Sequence, residues 1–150
     1  MNIAYKIRDW GDLHHTKILD IIRILLGLFL VTKGIAFLNN AAYLRYLIIE
    51  NKAIRESPDI ITALIYYVTY IHLVGGALIF VGLFTRLWAL LQLPIVFGAV
   101  FFVNILSPFT NSELWLSILV LALLVLFIVI GSGPLSLDRL LSNTKKLGEE

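Results

Sequence analysis

The feature that most constrains this fold is an uncharged, mostly apolar stretch from Ile60 to Phe84 with one histidine near its middle. A helix rises about 1.5 Å per residue, so about 20 apolar residues span the hydrocarbon core of a bilayer. His72 would then lie deep in a membrane span, where a titratable side chain is unfavourable unless it is neutral, paired or hydrated. The position predicts a partner for His72. That partner is either a bound ligand or a neighbouring helix, the histidine in the second case serving only packing.

Composition agrees with a membrane protein. The chain has 59% hydrophobic residues among 150 and a mean hydropathy of +0.91, which is too apolar for a soluble domain. A net charge of +2, from 12 basic and 10 acidic side chains, leaves no concentrated basic surface for nucleic acid. There is no cysteine, Met1 is the only methionine, and His72 is the only histidine within a predicted span. We therefore expect no thiol chemistry and no intrinsic cofactor, including a self-contained haem.

Four apolar segments predict an all-α, integral membrane, four-helix bundle with antiparallel up-down topology, because short connections join neighbouring antiparallel helices. The predicted spans cover about 21–38, 60–84, 87–106 and 114–131, within one bundle domain at 21–131. Residues 1–20 form a polar, amphipathic lead-in and residues 132–150 a tail. Between the first two spans, residues 41–59 mix apolar and charged side chains in a helical pattern, which predicts a short helix at the membrane surface.

The distribution of lysine and arginine predicts a multi-pass protein of the cytoplasmic (inner) membrane with both termini in the cytoplasm. Seven such residues lie on the side of the termini, and three lie on the other side. The seven are Lys6, Arg8, Lys17, Arg86, Arg139, Lys145 and Lys146, and the three are Arg45, Lys52 and Arg55. His14 and His15 are adjacent in the lead-in without a third ligand, so we interpret them as solvated residues and expect no metal site.

Small residues recur at helical spacing on the first two spans. They are Gly27 and Gly34 on the first span and Gly75, Gly76 and Gly82 on the second. Glycine lets another helix approach closely, so these positions predict packing seams. The approaching helix belongs either to this chain or to another membrane protein.

Two arginines, Arg23 and Arg86, lie near span ends on the cytoplasmic side. For Arg23, reaching toward the lipid headgroups is a sufficient explanation of a cation in a span. Two like charges at one surface also need acidic or phosphate partners, and Asp20 and Asp138 are close in the predicted topology.

These stretches resemble the DoxX family of small four-helix membrane proteins. The resemblance rests on Arg23-x-x-x-Gly27 with Gly34, on His72-Leu-Val-Gly75-Gly76 followed by Gly82-Leu-Phe-Thr-Arg86-Leu, and on Gly131-Ser-Gly133-Pro134 followed by Leu137-Asp138. It covers roughly residues 18–141 and implies a four-helix fold in the cytoplasmic membrane. The related DoxD and DoxA subunits belong to a thiosulfate:quinone oxidoreductase. Many members have an acidic residue before the Gly-Gly pair where this chain has His72, so a role that needs a carboxylate there does not transfer.

Two functions follow as expectations. The first is a redox-associated subunit that binds a quinone or similar apolar ligand, while a partner protein carries the electrons. His72 would donate a hydrogen bond to a carbonyl oxygen or shuttle a proton, with Tyr66, Tyr70 or Gln92 lining the pocket. The second is a non-catalytic subunit whose glycine seams dock other spans in a larger complex or homo-oligomer. Transport is disfavoured, because His72 is the only polar group at the centre of a span.

Overall fold

The computed structural model of the protein describes residues 16–50, 57–101 and 112–141, and these contain helices and turns but no strand. The α helices are α1 (Lys17–Asn39), α2 (Ala41–Glu50), α3 (Pro58–Tyr70), α4 (Gly76–Val81), α5 (Thr85–Gly98) and α6 (Ser112–Ile130). A π-helical turn, Ile71–Gly75, joins α3 to α4, and the resulting rod covers 24 residues. A last helical turn occupies residues 137–141. The all-α class is therefore confirmed for the described residues. The predicted roles of His14 and His15 lie outside them.

The start of α1 and the end of the rod differ from the predicted span boundaries. Helix α1 begins at Lys17, so residues 17–20 belong to it and not to the lead-in. The second span is predicted to end at residue 84 and the third to begin at residue 87, but the rod ends at Val81 and α5 begins at Thr85. Gly82 has φ +75°, its N–H donates to the Ile79 carbonyl, and the next N–H, of Leu83, donates to Leu78. This is a Schellman termination, which depends on a left-handed residue that glycine adopts without strain.

The helix predicted between the first two spans is present as α2. It starts directly after Asn40, whose side-chain oxygen accepts a hydrogen bond from the Tyr43 N–H at 3.3 Å. Leu44 is buried in a small apolar cluster with Ile61 and Ile65 of α3. Helix α2 is therefore anchored to the start of the rod.

Two elements, α1 and the rod Pro58–Val81, are long and apolar enough to cross a membrane. Their outward side chains are apolar too: Leu25 and Leu28 on α1 are about half exposed. A soluble monomer rarely exposes a continuous surface of this kind. The apolar helices at residues 85–101 and 114–130 are shorter over the described residues.

The glycines of α1 and of the rod pack against each other. A Cβ added to Gly27 would lie 2.6 Å from the Phe80 Cα, and one on Gly34 would lie 2.9 Å from the Leu73 backbone nitrogen. The contact on the rod moves back from Phe80 to Leu73 as the position on α1 advances from Gly27 to Gly34. Helix α1 and the rod are therefore antiparallel. The glycine seams predicted on the first two spans therefore pack against helices of the same chain.

Helices α5 and α6 form a second antiparallel pair. Arg86, at the start of α5, contacts the carbonyls at the end of α6. One apolar core joins this pair to α1 and α4, and its fully buried members include Ile79, Ala89, Leu124 and Phe127. The four elements therefore share a single core.

Candidate functional site

His72 lies in the π turn, near the middle of the rod, and only 6% of its surface is exposed. Its Nδ1 is 2.9 Å from the Val68 carbonyl oxygen, and its ring meets the Phe37 ring edge-on at 5.3 Å between centroids. A carbonyl only accepts hydrogen bonds, so Nδ1 carries the proton and the neutral ring presents a lone pair at Nε2. Among the described residues Nε2 has no hydrogen-bond partner.

Helices α1 and α5 pack against two consecutive glycines at the end of the π turn. Gly76 faces α1, where an added Cβ would lie 2.8 Å from the Val31 nitrogen, and Gly75 faces α5, where one would lie 3.1 Å from the Trp88 ring. A π turn widens the helix and is frequent at functional sites. No sequence feature directly indicates this widening. The consecutive glycines beside a buried histidine are the only local signal that could have suggested it.

Gln92 ties α5 to the π turn. It is fully buried, and its Nε2 donates a hydrogen bond to the Ile71 carbonyl at 2.9 Å. That bond fixes the orientation of the amide, so the remaining atom, Oε1, is an acceptor. Oε1 is buried without a hydrogen-bond partner. His72 is therefore part of the π turn and Gln92 bonds to it, and each leaves an acceptor atom open.

The two predicted pocket tyrosines do not join His72 and Gln92. Tyr66 and Tyr70 are 72% and 60% exposed. They lie one helical turn apart on the same face, and position 72 is about 200° further around an ideal helix from position 70. Their contact with a ligand remains a prediction, but it would have to be made on the outer surface of the rod.

Arg23 forms part of a buried network at the opposite end of the rod from α2. It is fully buried, so the expectation that it reaches the headgroups is wrong. Its Nη1 donates to the Ile79 carbonyl at 3.1 Å, and Nη2 donates to the Leu135 carbonyl at 3.0 Å and to Asp20 at 3.4 Å. The second oxygen of Asp20 accepts a hydrogen bond from the Leu135 N–H. Nε is buried without a partner.

The absence of a side chain at Gly82 makes room for this network. A Cβ there would collide with Arg23 Nη1 and would lie 2.6 Å from the Ser136 Cβ. Gly82 thus serves two purposes, since it ends the rod and admits the guanidinium.

Arg86 donates hydrogen bonds to backbone carbonyls and forms no ion pair with an acidic side chain in the described part of the chain. Its Nη2 donates to the carbonyls of Val129 and Ile130 at 3.1 and 3.2 Å. These are the last carbonyls of α6, where the helix dipole favours a cation. Asp138, the acid expected nearby, instead accepts the Phe84 N–H at 3.2 and 3.0 Å through its two oxygens. It caps the start of α5, where a carboxylate is favoured.

We call this network the C-terminal joint, and define it as Asp20, Arg23, Gly82, Arg86 and residues 131–138. It fastens the segment after α6 to the ends of α1, the rod and α5. Sequence reasoning missed the return of this segment, although Gly131 and Gly133, both with positive φ, mark a chain reversal. The two Arg23 Nη atoms and Arg86 Nη2 donate to groups of this chain, so the joint is best explained as structural.

The described residues contain no group of three or more histidine, cysteine, aspartate or glutamate side chains that could hold a metal ion. The family model for DoxX matches residues 18–105, more than half of the 150 residues. The chain belongs to the DoxX family. With its long apolar helices, this DoxX protein is a membrane protein.

The DoxX match runs from α1 past the end of α5, and includes Arg23, His72, Arg86 and Gln92. It stops before α6, so the motif around Gly131 lies outside it. Comparison with curated proteins and with solved structures finds no significant match in either.

Proposed function

We propose that this DoxX protein is a redox-associated subunit of the inner membrane that binds a quinone or similar apolar ligand at His72. A partner protein would carry the electrons, because no residue set in the chain is suited to hold an electron carrier. In this proposal the chain crosses the membrane four times and has both termini in the cytoplasm. The lysine and arginine distribution supports that orientation.

The observation that carries the proposal is the open Nε2 of His72 near the middle of a rod long enough to cross a membrane. An ionisable side chain at that depth is unfavourable and is by default a functional candidate. Its placement in a π turn, between α1 and α5, adds a local distortion of the kind that accompanies binding sites.

The docking alternative loses the surface through which docking is expected. Docking was expected through the glycine seams, but Gly27 and Gly34 face the rod of the same chain. A partner helix cannot use a surface that α1 and the rod already cover. We therefore rank ligand binding first.

The test is equilibrium binding of a decyl-substituted benzoquinone, in each oxidation state, to the protein in lipid nanodiscs. We expect saturable binding above that of empty nanodiscs in at least one oxidation state, and a loss of about three- to tenfold in the affinity for that state in His72→Phe, since one hydrogen bond is lost. Phenylalanine keeps the apolar volume beside Phe37. Tyr67→Phe, which removes a hydroxyl from the same rod, is the matched control and should bind as the parent does.

The proposal fails if neither oxidation state binds above empty nanodiscs. It also fails if His72→Phe binds as tightly as the parent protein. Helicity and elution volume of each variant show whether the fold has survived, so that a loss of binding is not confused with unfolding.

A further inference from the structure

We infer that the site at His72 recognises an O–H donor, so that it takes a hydroquinone or phenol in preference to the matching quinone or ether. This inference rests on the proposed function, because it concerns which form of an apolar ligand the same site binds. It replaces the expectation that His72 donates a hydrogen bond to a ligand carbonyl.

The first step is the direction of the hydrogen bond at Nδ1. The Val68 carbonyl oxygen, 2.9 Å away, can only accept, so Nδ1 is the protonated nitrogen. Flipping the ring would place a carbon against that carbonyl and lose the bond. In an apolar layer the ring is most stable in its neutral form. Nε2 is then an acceptor and offers no proton to a carbonyl.

The second step is that the other open polar atom at the π turn is also an acceptor. Gln92 Nε2 donates one of its two hydrogens to the Ile71 carbonyl, and its Oε1 is buried without a partner. The aromatic neighbour of His72, Phe37, contributes no strong donor. A ligand carbonyl oxygen at His72 Nε2 would face a lone pair, whereas a hydroxyl group there would complete a hydrogen bond.

One cationic side chain near His72 could donate a hydrogen bond to a ligand carbonyl instead. Lys33 lies four residues before Phe37 on α1, and its Nζ is 5.8 Å from the centre of the Phe29 ring. It has an interaction of its own within the protein. A preference for the quinone in the experiment below would point to Lys33 and overturn the inference.

The experiment compares three ligands that share one ring and one decyl chain: the hydroquinone, its dimethyl ether and the quinone. Binding is measured without oxygen, in nanodiscs, by titration calorimetry with empty nanodiscs as the blank. We expect the hydroquinone to bind about three- to tenfold more tightly than the other two, the effect of one ordinary hydrogen bond. In parallel, the ¹⁵N resonance of His72 Nε2, assigned by its absence in His72→Phe, should shift on adding the hydroquinone and not the ether.

Each outcome has one meaning. Equal affinities for the three ligands, or tighter binding of the quinone, refute donor recognition while leaving ligand binding at His72 intact. A hydroquinone preference that survives in His72→Phe also refutes it, because another acceptor would be responsible. Binding by none of the three refutes the proposed function itself. If His72→Phe does not fold, the ligand series and the ¹⁵N shift in the parent protein still decide.

Discussion

Replacing Arg23 by methionine tests whether the C-terminal joint holds the fold together. Methionine has a similar length but no hydrogen-bond donors, so Arg23→Met deletes the bonds to the carbonyls of Ile79 and Leu135. It also leaves the Asp20 carboxylate buried without its cation. The substitution therefore combines lost bonds with an uncompensated buried charge.

The magnitude follows from those two effects. Hydrogen bonds from a charged group contribute about 1.5–3 kcal/mol each, and removing one partner of a buried ion pair typically destabilises by about 3–5 kcal/mol. The effects overlap, so we expect Arg23→Met to lower the free energy of unfolding by about 3–5 kcal/mol. Adding Asp20→Asn should recover part of the loss, because the buried negative charge disappears while an oxygen remains for the Leu135 N–H.

The assay is reversible unfolding in mixed micelles, followed by helicity, for the parent protein and both variants. Lys17→Met is the matched control: it removes an exposed cation from the same helix and should change stability by less than about 0.5 kcal/mol. If Arg23→Met is no more destabilised than Lys17→Met, the guanidinium is dispensable to the fold. Our account of the joint would then be wrong, and the simpler explanation that Arg23 reaches the headgroups would return.

Two further predictions concern packing and topology. Gly76→Ala should destabilise the protein by about 1–3 kcal/mol in the same assay, because its Cβ would lie within 3 Å of α1. Gly98→Ala, with nothing within 4 Å, should be neutral or stabilising by up to about 1 kcal/mol, and equal effects of the two would contradict the seam. For topology, the natural chain has no cysteine, so single cysteines can report sidedness. On intact cells an impermeant maleimide should label Asn40→Cys and not Leu141→Cys, and the reverse pattern would exclude cytoplasmic termini.

Much of the fold could be predicted from local sequence. Apolar length and spacing identify α1, the rod and the shorter helices, because these are properties of contiguous residues. Helix α2 was predicted for the same reason, from its alternation of apolar and charged side chains. The boundary at Gly82 was missed, since a glycine inside an apolar run is read as a packing residue until its left-handed conformation is known.

The sites were harder to predict, because their geometry depends on distant residues. Arg23 is buried by Leu135, 112 positions away in the chain, and no local pattern identifies that contact. His72 could be singled out, because a titratable residue inside an apolar run is conspicuous. The tyrosines were grouped with it by nearness in sequence, whereas the direction of their side chains places them on the outer surface.

The C-terminal joint and the π turn at His72 differ in which of their polar atoms have hydrogen-bond partners within the chain. In the joint, the Nη groups of Arg23 and the Nη2 of Arg86 are bonded to this chain, both oxygens of Asp20 accept hydrogen bonds, and Arg23 Nε is buried without a partner. At the π turn, His72 Nδ1 donates to Val68 and Gln92 Nε2 donates to Ile71, while His72 Nε2 and Gln92 Oε1 have no hydrogen-bond partner in the described part of the chain. An unpaired buried polar atom costs about 1–3 kcal/mol, and Gln92 Oε1 is such an atom beside the π turn, as Arg23 Nε is in the joint. The open acceptors at the π turn lie near the middle of a rod long enough to cross a membrane, where a ligand hydroxyl would bond to them, and this is why we propose binding at His72 and a role in stability for Arg23.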